Sequence, residues 1–236
     1  AMAVMDAGGI PLLVDAHADV PVLEGMLNDR TVSAICCAKS FAGRHRAASF
    51  LQRRPMLWVW DEGSLSTDAS PDPSSLPAFL PISLPPGCAI LPTSGTTGAI
   101  PKAAAIGEEN LRQNARQLVD LLTLREGDVG MSFSPIFTTL GLHNLCAHLS
   151  VGASLLLWND LFIPNDILQT MKTHRVTEIS VVPAHLHLLL ERGDTDWNAL
   201  SSLHTIRIGA GGTHPSLLAA IHAKRPDLRI VKTYGM

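Results

Sequence analysis

The sequence predicts an α/β fold, layered, with mostly parallel sheets and flanking helices. Three observations point there. Short apolar or β-branched runs alternate with longer amphipathic stretches along the 236 residues, the order that parallel strands joined by helical crossovers produce. One of those stretches, 108–122, carries a helical stripe that can be checked residue by residue. A third stretch, 61–87, holds Pro71, Pro73, Pro77, Pro81, Pro85 and Pro86 among several serines and sustains neither pattern.

In chain order, the strand candidates are 10–14, 33–37, 56–60, 89–92, 130–133, 153–157, 178–182, 205–208 and 229–233, each short and apolar or β-branched. The helix candidates are 20–27, 108–122, 140–151, 165–174, 184–192 and 215–223. In 108–122, Leu111, Ala115, Leu118, Leu121 and Leu122 recur at three- and four-residue intervals as the inner face. Asn110, Arg112, Gln113 and Arg116 fill the outer face, and Gly127-Asp128 supplies the turn to the next strand. The proline-rich stretch divides the chain into a small α/β segment (1–60), a connection (61–87) and a larger α/β part (88–236).

Composition excludes some functions. Hydrophobic residues make up 46% and charged residues 17%, and the mean hydropathy is +0.21. That content implies a well-filled core or a face meant to meet a second copy or a further domain. No apolar run reaches the roughly 20 residues of a membrane span. The net charge of −3, without a Lys/Arg cluster, argues against a nucleic-acid partner. Four cysteines without metal-ligand spacing, and no secretory signal, point to a reducing, cytoplasmic setting.

The most informative stretch is Leu91-Pro92-Thr93-Ser94-Gly95-Thr96-Thr97-Gly98-Ala99-Ile100-Pro101-Lys102. Gly95 and Gly98 let the backbone bend and turn N–H groups toward an anion. Thr93, Ser94, Thr96 and Thr97 offer hydroxyl donors to phosphate oxygens, and Lys102 adds a positive charge at the end. The order differs from the Walker loop, which needs Gly-Lys-Ser/Thr opening a helix.

This stretch resembles the phosphate loop of the adenylate-forming superfamily, which includes acyl-CoA synthetases, nonribosomal-peptide adenylation domains and luciferases. Other segments are similar in the family's order. Phe133-Ser134-Pro135-Ile136-Phe137-Thr138-Thr139-Leu140-Gly141 resembles the acyl-site segment, Val182-Pro183 the next strand-to-helix junction, and Ile208-Gly209-Ala210-Gly211-Gly212 the glycine turn. Tyr234-Gly235-Met236 resembles the start of the Tyr-Gly-x-Thr-Glu motif. The resemblance implies part of the N-terminal domain of such an enzyme. It implies ATP and Mg²⁺ as cofactors and a small-molecule carboxylic acid or thioester as ligand. The family's reaction joins a carboxylate to ATP, giving acyl-adenylate and pyrophosphate. By matching positions, Thr93 to Gly98 and Lys102 would hold the β- and γ-phosphates. Gly209, Ala210, Gly211, Gly212, Tyr234 and Gly235 would border adenine and acid. Phe137, Thr138, Gly141 and His143 would border the acyl group.

The chain also departs from the family. Its 236 residues include neither the Thr-Glu after Tyr-Gly-x, whose Glu helps hold Mg²⁺, nor the ribose-binding Asp, nor the catalytic Lys of the family's C-terminal domain. Ala99-Ile100 stands where the family has a single residue, and Thr138 where many acyl-CoA synthetases have His. Ser134 follows Phe133 where amino-acid-activating members place an Asp, which favours an aryl or acyl acid. The expectation is a truncated AMP-binding domain that adenylates poorly by itself, with no catalytic residue assigned. The alternative is a half-length member that binds a small organic ligand or partner, or runs a different reaction. No metal site is expected: Asp15-Ala16-His17-Ala18-Asp19 reads as a polar connection with Asp19 at a helix start.

Overall fold

A computed structural model describes residues 10–28, 35–44, 57–61, 64–68, 89–93, 102–192 and 196–234. The chain divides into two compact units, Ala1–Ala105 and Ile106–Met236.

In the first unit, helix α1 (Val20–Asn28) precedes strand β1 (Ile35–Ala38) and a short helix α2 (Lys39–Arg44). Strand β2 (Leu57–Asp61) runs parallel to β1 and pairs antiparallel with β3 (Ser64–Asp68). Leu23 and Phe41 are buried against Val14, Ala18, Ile35 and Cys37. Ahead of α1, the Asp15 carboxylate accepts from the His17 N–H at 2.8 Å, the polar connection that the sequence suggests. Strands β4 (Ala89–Thr93) and β5 (Lys102–Ile106) form a two-stranded sheet.

Four elements of this region differ from the sequence reading. The 10–14 candidate is no strand; it makes one parallel bridge, Leu12 to Ile90, with Leu13 N donating to Ile90 O and Ile90 N to Pro11 O. Its Pro11 has no N–H to extend a ladder. Strands β3 and β5 and helix α2 were not anticipated. Ser-Leu-Ser-Thr-Asp and Lys-Ala-Ala-Ala-Ile have little β-propensity, and pairing with a neighbour overrides it.

The second unit opens with α3 (Glu108–Leu122), whose bounds match the sequence reading. Glu108 and Glu109 lie in its first turn, where the helix dipole favours negative charge. Glu108 pairs with Arg112, and Gln113 bonds Glu109 at 3.0 Å. Leu111, Ala115, Leu118 and Leu122 are buried, whereas Leu121 is 40% exposed. At about 100° per residue, Leu121 sits about 90° off the centre of that stripe.

Strand β6 (Val129–Ser132) follows, then α4 (Thr139–Ser150), β7 (Ser154–Leu157), α5 (Pro164–Thr173), β8 (Glu178–Val181), α6 (Pro183–Arg192), β9 (Thr205–Ile208), α7 (Pro215–Lys224) and β10 (Arg229–Lys232). The strands form one parallel sheet in the order β10-β9-β8-β6-β7. The turn into β6 uses Gly127 at φ 87°, and Asp128 closes it by accepting from Arg125 N at 2.9 Å. One face of the sheet carries an apolar core of Met131, Ile179, Val181, Ile206 and Ile208, packed with Ile167, Leu168 and Met171 of α5, Leu186 and Leu189 of α6 and Ile221 of α7. On the other side, Ala115, Leu118 and Leu122 of α3 pack with Ala147 of α4 and Val231 of β10.

This order has a consequence for ligands. The chain leaves β6 to one side for β7, then crosses to the other side for β8. Loops from β6 and β8 therefore diverge at the carboxyl ends of two adjacent strands. Such a switch point is where open parallel sheets form a crevice. Among the described residues, no helix is long and apolar enough to cross a membrane.

Candidate functional site

Of the five connections that leave the carboxyl edge of the second unit's sheet, four concern the sequence candidates: 133–138 after β6, Val182 after β8, 209–214 after β9, and Thr233-Tyr234 after β10. The sequence singled out residues on all four, and the topology brings them to one edge.

The acyl-site candidates lie where β6 turns into α4. Thr138 is the N-cap of α4: its Oγ1 accepts from Gly141 N at 3.2 Å and donates to Pro135 O at 2.7 Å. Its hydroxyl thus fixes the turn. Gly141 is buried, and a Cβ built there would stand 2.1 Å from the Pro135 carbonyl oxygen. Only glycine lets the helix start this close to the preceding turn. Phe137 is half-buried in the same turn. His143 is half-buried one turn further on; burial first, and the Arg207 charge second, lower its pKa below 6.5.

In the glycine turn, Gly209 N donates to Val181 O at 3.0 Å, and Ala210 adopts φ 63°. A Cβ on Gly209 would meet Thr233 Oγ1 at 3.3 Å and Leu140 of α4 at 3.6 Å. Gly211 lies over Pro183, and Gly212 faces open space. Past the turn, the His214 Nδ1 accepts from Ser216 N at 3.3 Å and caps α7. Tyr234 is 95% exposed at the same edge, its ring free to stack on a flat partner. A cavity of about 480 Å³ opens beside the turn, lined by Pro183, His187, Gly212 and His214 with α6 and α7 residues.

The phosphate-loop candidates lie in the first unit. Thr93 ends β4 and Lys102 begins β5, so the loop joins two paired strands. Ser94, Gly95, Thr96, Thr97 and Gly98 lie outside the described residues, as do Gly235 and the side chains of Thr93 and Lys102.

The sequence reading assembled neither of two further groups, although Phe133 of the second lies in the acyl-site segment. The first is a buried polar layer under α4. The register aligns Gly130, Glu178 and Thr205 in one row, and Ser132, Ser180 and Arg207 in the next. Asn144 donates to Ser132 Oγ at 3.2 Å and accepts from Arg207 Nη1. Arg207 Nε donates to Thr233 Oγ1 at 3.3 Å. The His148 ring lies on Gly130, where a Cβ would be 2.1 Å from Nε2, and Nε2 is 3.5 Å from Glu178 Oε2. The other Glu178 oxygen accepts from Ser180 Oγ at 2.8 Å. The second group is aromatic: His185, in the first turn of α6, stacks on Phe162 at 4.5 Å, and Phe133 tilts against both. Burial lowers the His185 pKa below 6.5. A strand reading Thr-Ile-Arg-Ile looks half-exposed, so Arg207 carried no signal until α4 was seen to cover it.

Comparison with known proteins bears on the family and the fold. The family model described as AMP-binding enzyme matches residues 1–236. The chain is 32% identical to 4-coumarate–CoA ligase 5 of Oryza sativa subsp. japonica over 174 residues, 71% of this chain and 32% of that protein. It is 26% identical to a feruloyl-CoA synthase of Amycolatopsis sp over 230 residues, 98% of this chain and 44% of that protein. It thus spans less than half the length of these curated relatives. Among solved structures, an anthranilate CoA ligase in complex with anthranoyl-AMP superposes with a TM-score of 0.78 at 20% identity, over 97% of this chain and 46% of that one.

Proposed function

The chain belongs to the AMP-binding enzyme family, the adenylate-forming superfamily, and from that premise we propose that it forms the ATP-phosphate and acid-binding part of an acyl- or aryl-CoA-ligase-type enzyme. The observation that carries this reading is the convergence of the acyl segment, the glycine turn and Tyr234 at the switch-point edge of one parallel sheet. The names of the two curated relatives, ligases of 4-coumarate and ferulate, support an aryl acid as substrate.

The reaction proposed is attack of a carboxylate oxygen on the α-phosphorus of ATP, with the bond to the β-phosphate bridge breaking and pyrophosphate leaving. This chain's part is positioning. Thr93 to Gly98 and Lys102 hold the β- and γ-phosphates. Tyr234 stacks on adenine. Gly209, Ala210, Gly211 and Gly212 allow the adenylate to approach the backbone closely, with Gly235 following the stacking ring. Phe137, Gly141 and His143 border the acid, and Thr138 fixes that wall through its cap. His143, held neutral near pH 7, offers a hydrogen bond without a charge. Mg²⁺ would arrive with the nucleotide phosphates. Among the described residues no group of three His, Cys, Asp or Glu side chains is placed to hold a metal, and the residues seen here do not provide a dedicated site.

The 236 residues tested alone bind but adenylate poorly, because the family's metal-binding Glu and catalytic Lys are not among them. Titration with a non-hydrolysable ATP analogue and Mg²⁺ tests this. Saturable binding that weakens about tenfold or more in Lys102→Ala is expected, the loss of a charge-assisted contact. Absence of nucleotide binding contradicts the reading, and ordinary pyrophosphate release by these residues alone contradicts its second half. Binding of an organic acid without any nucleotide would favour the half-length binding protein instead.

A further inference from the structure

Beneath the carboxyl edge, the face of the sheet toward α4 is polar, where the interior of a parallel sheet is ordinarily apolar. Ser132 of β6, Asn144 of α4 and Arg207 of β9 are all buried there, Arg207 at 6% exposure. Glu178 of β8, in the same layer, supplies the counter-charge to Arg207. Apolar residues of similar volume often fill such a layer with equal or greater stability. What they lack is direction: a hydrogen bond fixes distance and angle, whereas apolar packing tolerates adjustment.

The bonds of this layer form one continuous line. It starts in the acyl segment, where Ser134 N donates to Ser132 Oγ at 3.3 Å. Asn144 Nδ2 donates to the same oxygen at 3.2 Å. Asn144 Oδ1 accepts from Arg207 Nη1, and Arg207 Nε donates to Thr233 Oγ1 at 3.3 Å. Thr233 immediately precedes Tyr234, and its N–H donates to Ile208 O at 2.9 Å. The Thr233 hydroxyl also stands against the glycine turn, since a Cβ on Gly209 would meet it at 3.3 Å. One guanidinium thus joins α4 to the end of β10. With its charge balanced by Glu178, Arg207 acts through geometry: two nitrogens of one rigid plane reach two different elements.

We infer that Arg207 and Asn144 are positioning residues, which hold the acyl segment and Thr233-Tyr234 at a fixed separation, so that the acid and adenine halves of one adenylate are received in register. This inference rests on the reading of the carboxyl edge as the adenylate site. Both residues act through the segments they hold rather than by touching the ligand. A misplacement of about 1 Å at a reacting site costs on the order of a hundredfold, and a contiguous line of bonds lets one wall constrain the other.

The test compares cinnamoyl-sulfamoyl-adenosine with sulfamoyl-adenosine, which lacks the acid half, each titrated calorimetrically into the 236-residue chain. The unaltered chain binds the conjugate more tightly than the nucleoside. Arg207→Lys keeps the charge opposite Glu178 but presents one nitrogen in place of the two that reach Asn144 and Thr233. Thr233→Val removes only the acceptor, and Thr233→Ser keeps it. In Arg207→Lys and in Thr233→Val the preference for conjugate over nucleoside falls about tenfold or more, as expected for loss of a charge-assisted hydrogen bond. Nucleoside affinity holds in both, and Thr233→Ser retains the preference. The double variant loses no more than the larger single loss, because both changes cut one line. Equal weakening of conjugate and nucleoside, or no weakening, overturns the inference and leaves the acid-site reading standing. So does an equal loss in Thr233→Ser and Thr233→Val. If the unaltered chain shows no preference for the conjugate, the acid-site reading fails and the inference with it.

Discussion

At the scale of single residues, the site is built as much from what is absent as from what is present. Gly130 leaves room for the His148 ring, and Gly141 for the Pro135 carbonyl. The sequence marked Gly141 through its place in a motif, but not the reason, which is a contact with backbone seven positions or fewer away in a turn. Two histidines at this edge make a pH prediction possible. His143 and His185 are both held below 6.5 by burial. Below that value the unfolded chain binds more protons than the folded one, so stability rises with pH through the window and falls as acid is added. The Asp227 carboxyl, held down to about 2 by its hydrogen bond to Arg225, acts in the same direction but only below its ordinary value of 3.8. The urea midpoint should therefore drop between about pH 7.5 and about pH 5.5. The drop should shrink in a chain carrying His143→Gln and His185→Phe. An equal drop in both chains would assign the effect to other groups.

At the scale of elements, helix α3 shows what periodicity reads well and where it errs. Its bounds and four of its five inner residues follow from spacing, and the fifth, Leu121, is 40% exposed. Leu118→Ala is expected to destabilise the chain by about 2–5 kcal/mol, the range for buried leucines. Leu121→Ala should stay within about 0.5 kcal/mol. Chemical denaturation of the two variants checks this, and equal losses would mean α3 packs on another face. The strands of the second unit were legible for a similar reason: short segments that carry β-branched or other apolar residues between turn residues leave few alternatives. Strands β3 and β5 were not, because Ser64–Asp68 and Lys102–Ile106 owe their form to a partner rather than to propensity. The polar layer was hidden by the same limit. Glu178, Ser180, Thr205 and Arg207 alternate with isoleucine and valine, a pattern that a half-exposed strand would also show. Only the placement of α4, with Asn144 and His148 turned inward, shows that the second face is covered.

At the scale of the whole molecule, two units each contribute a distinct part of the reading. The first holds the phosphate-loop candidates between β4 and β5, and the second holds the acid and adenine candidates at the edge of a five-stranded sheet. The family resemblance was legible because its motifs occur in order. The identity of the acid was not, because its candidate walls come from four separate connections that only the fold assembles. The most direct test of this account is hydrogen exchange, read by mass spectrometry, with and without a cinnamoyl-sulfamoyl-adenosine conjugate. Slowed exchange is predicted in the segments 133–143, 182–185, 209–213 and 233–234, with β7 and α5 unchanged. Protection confined to other segments, or none at saturating conjugate, would contradict the assignment of the carboxyl edge as the adenylate site.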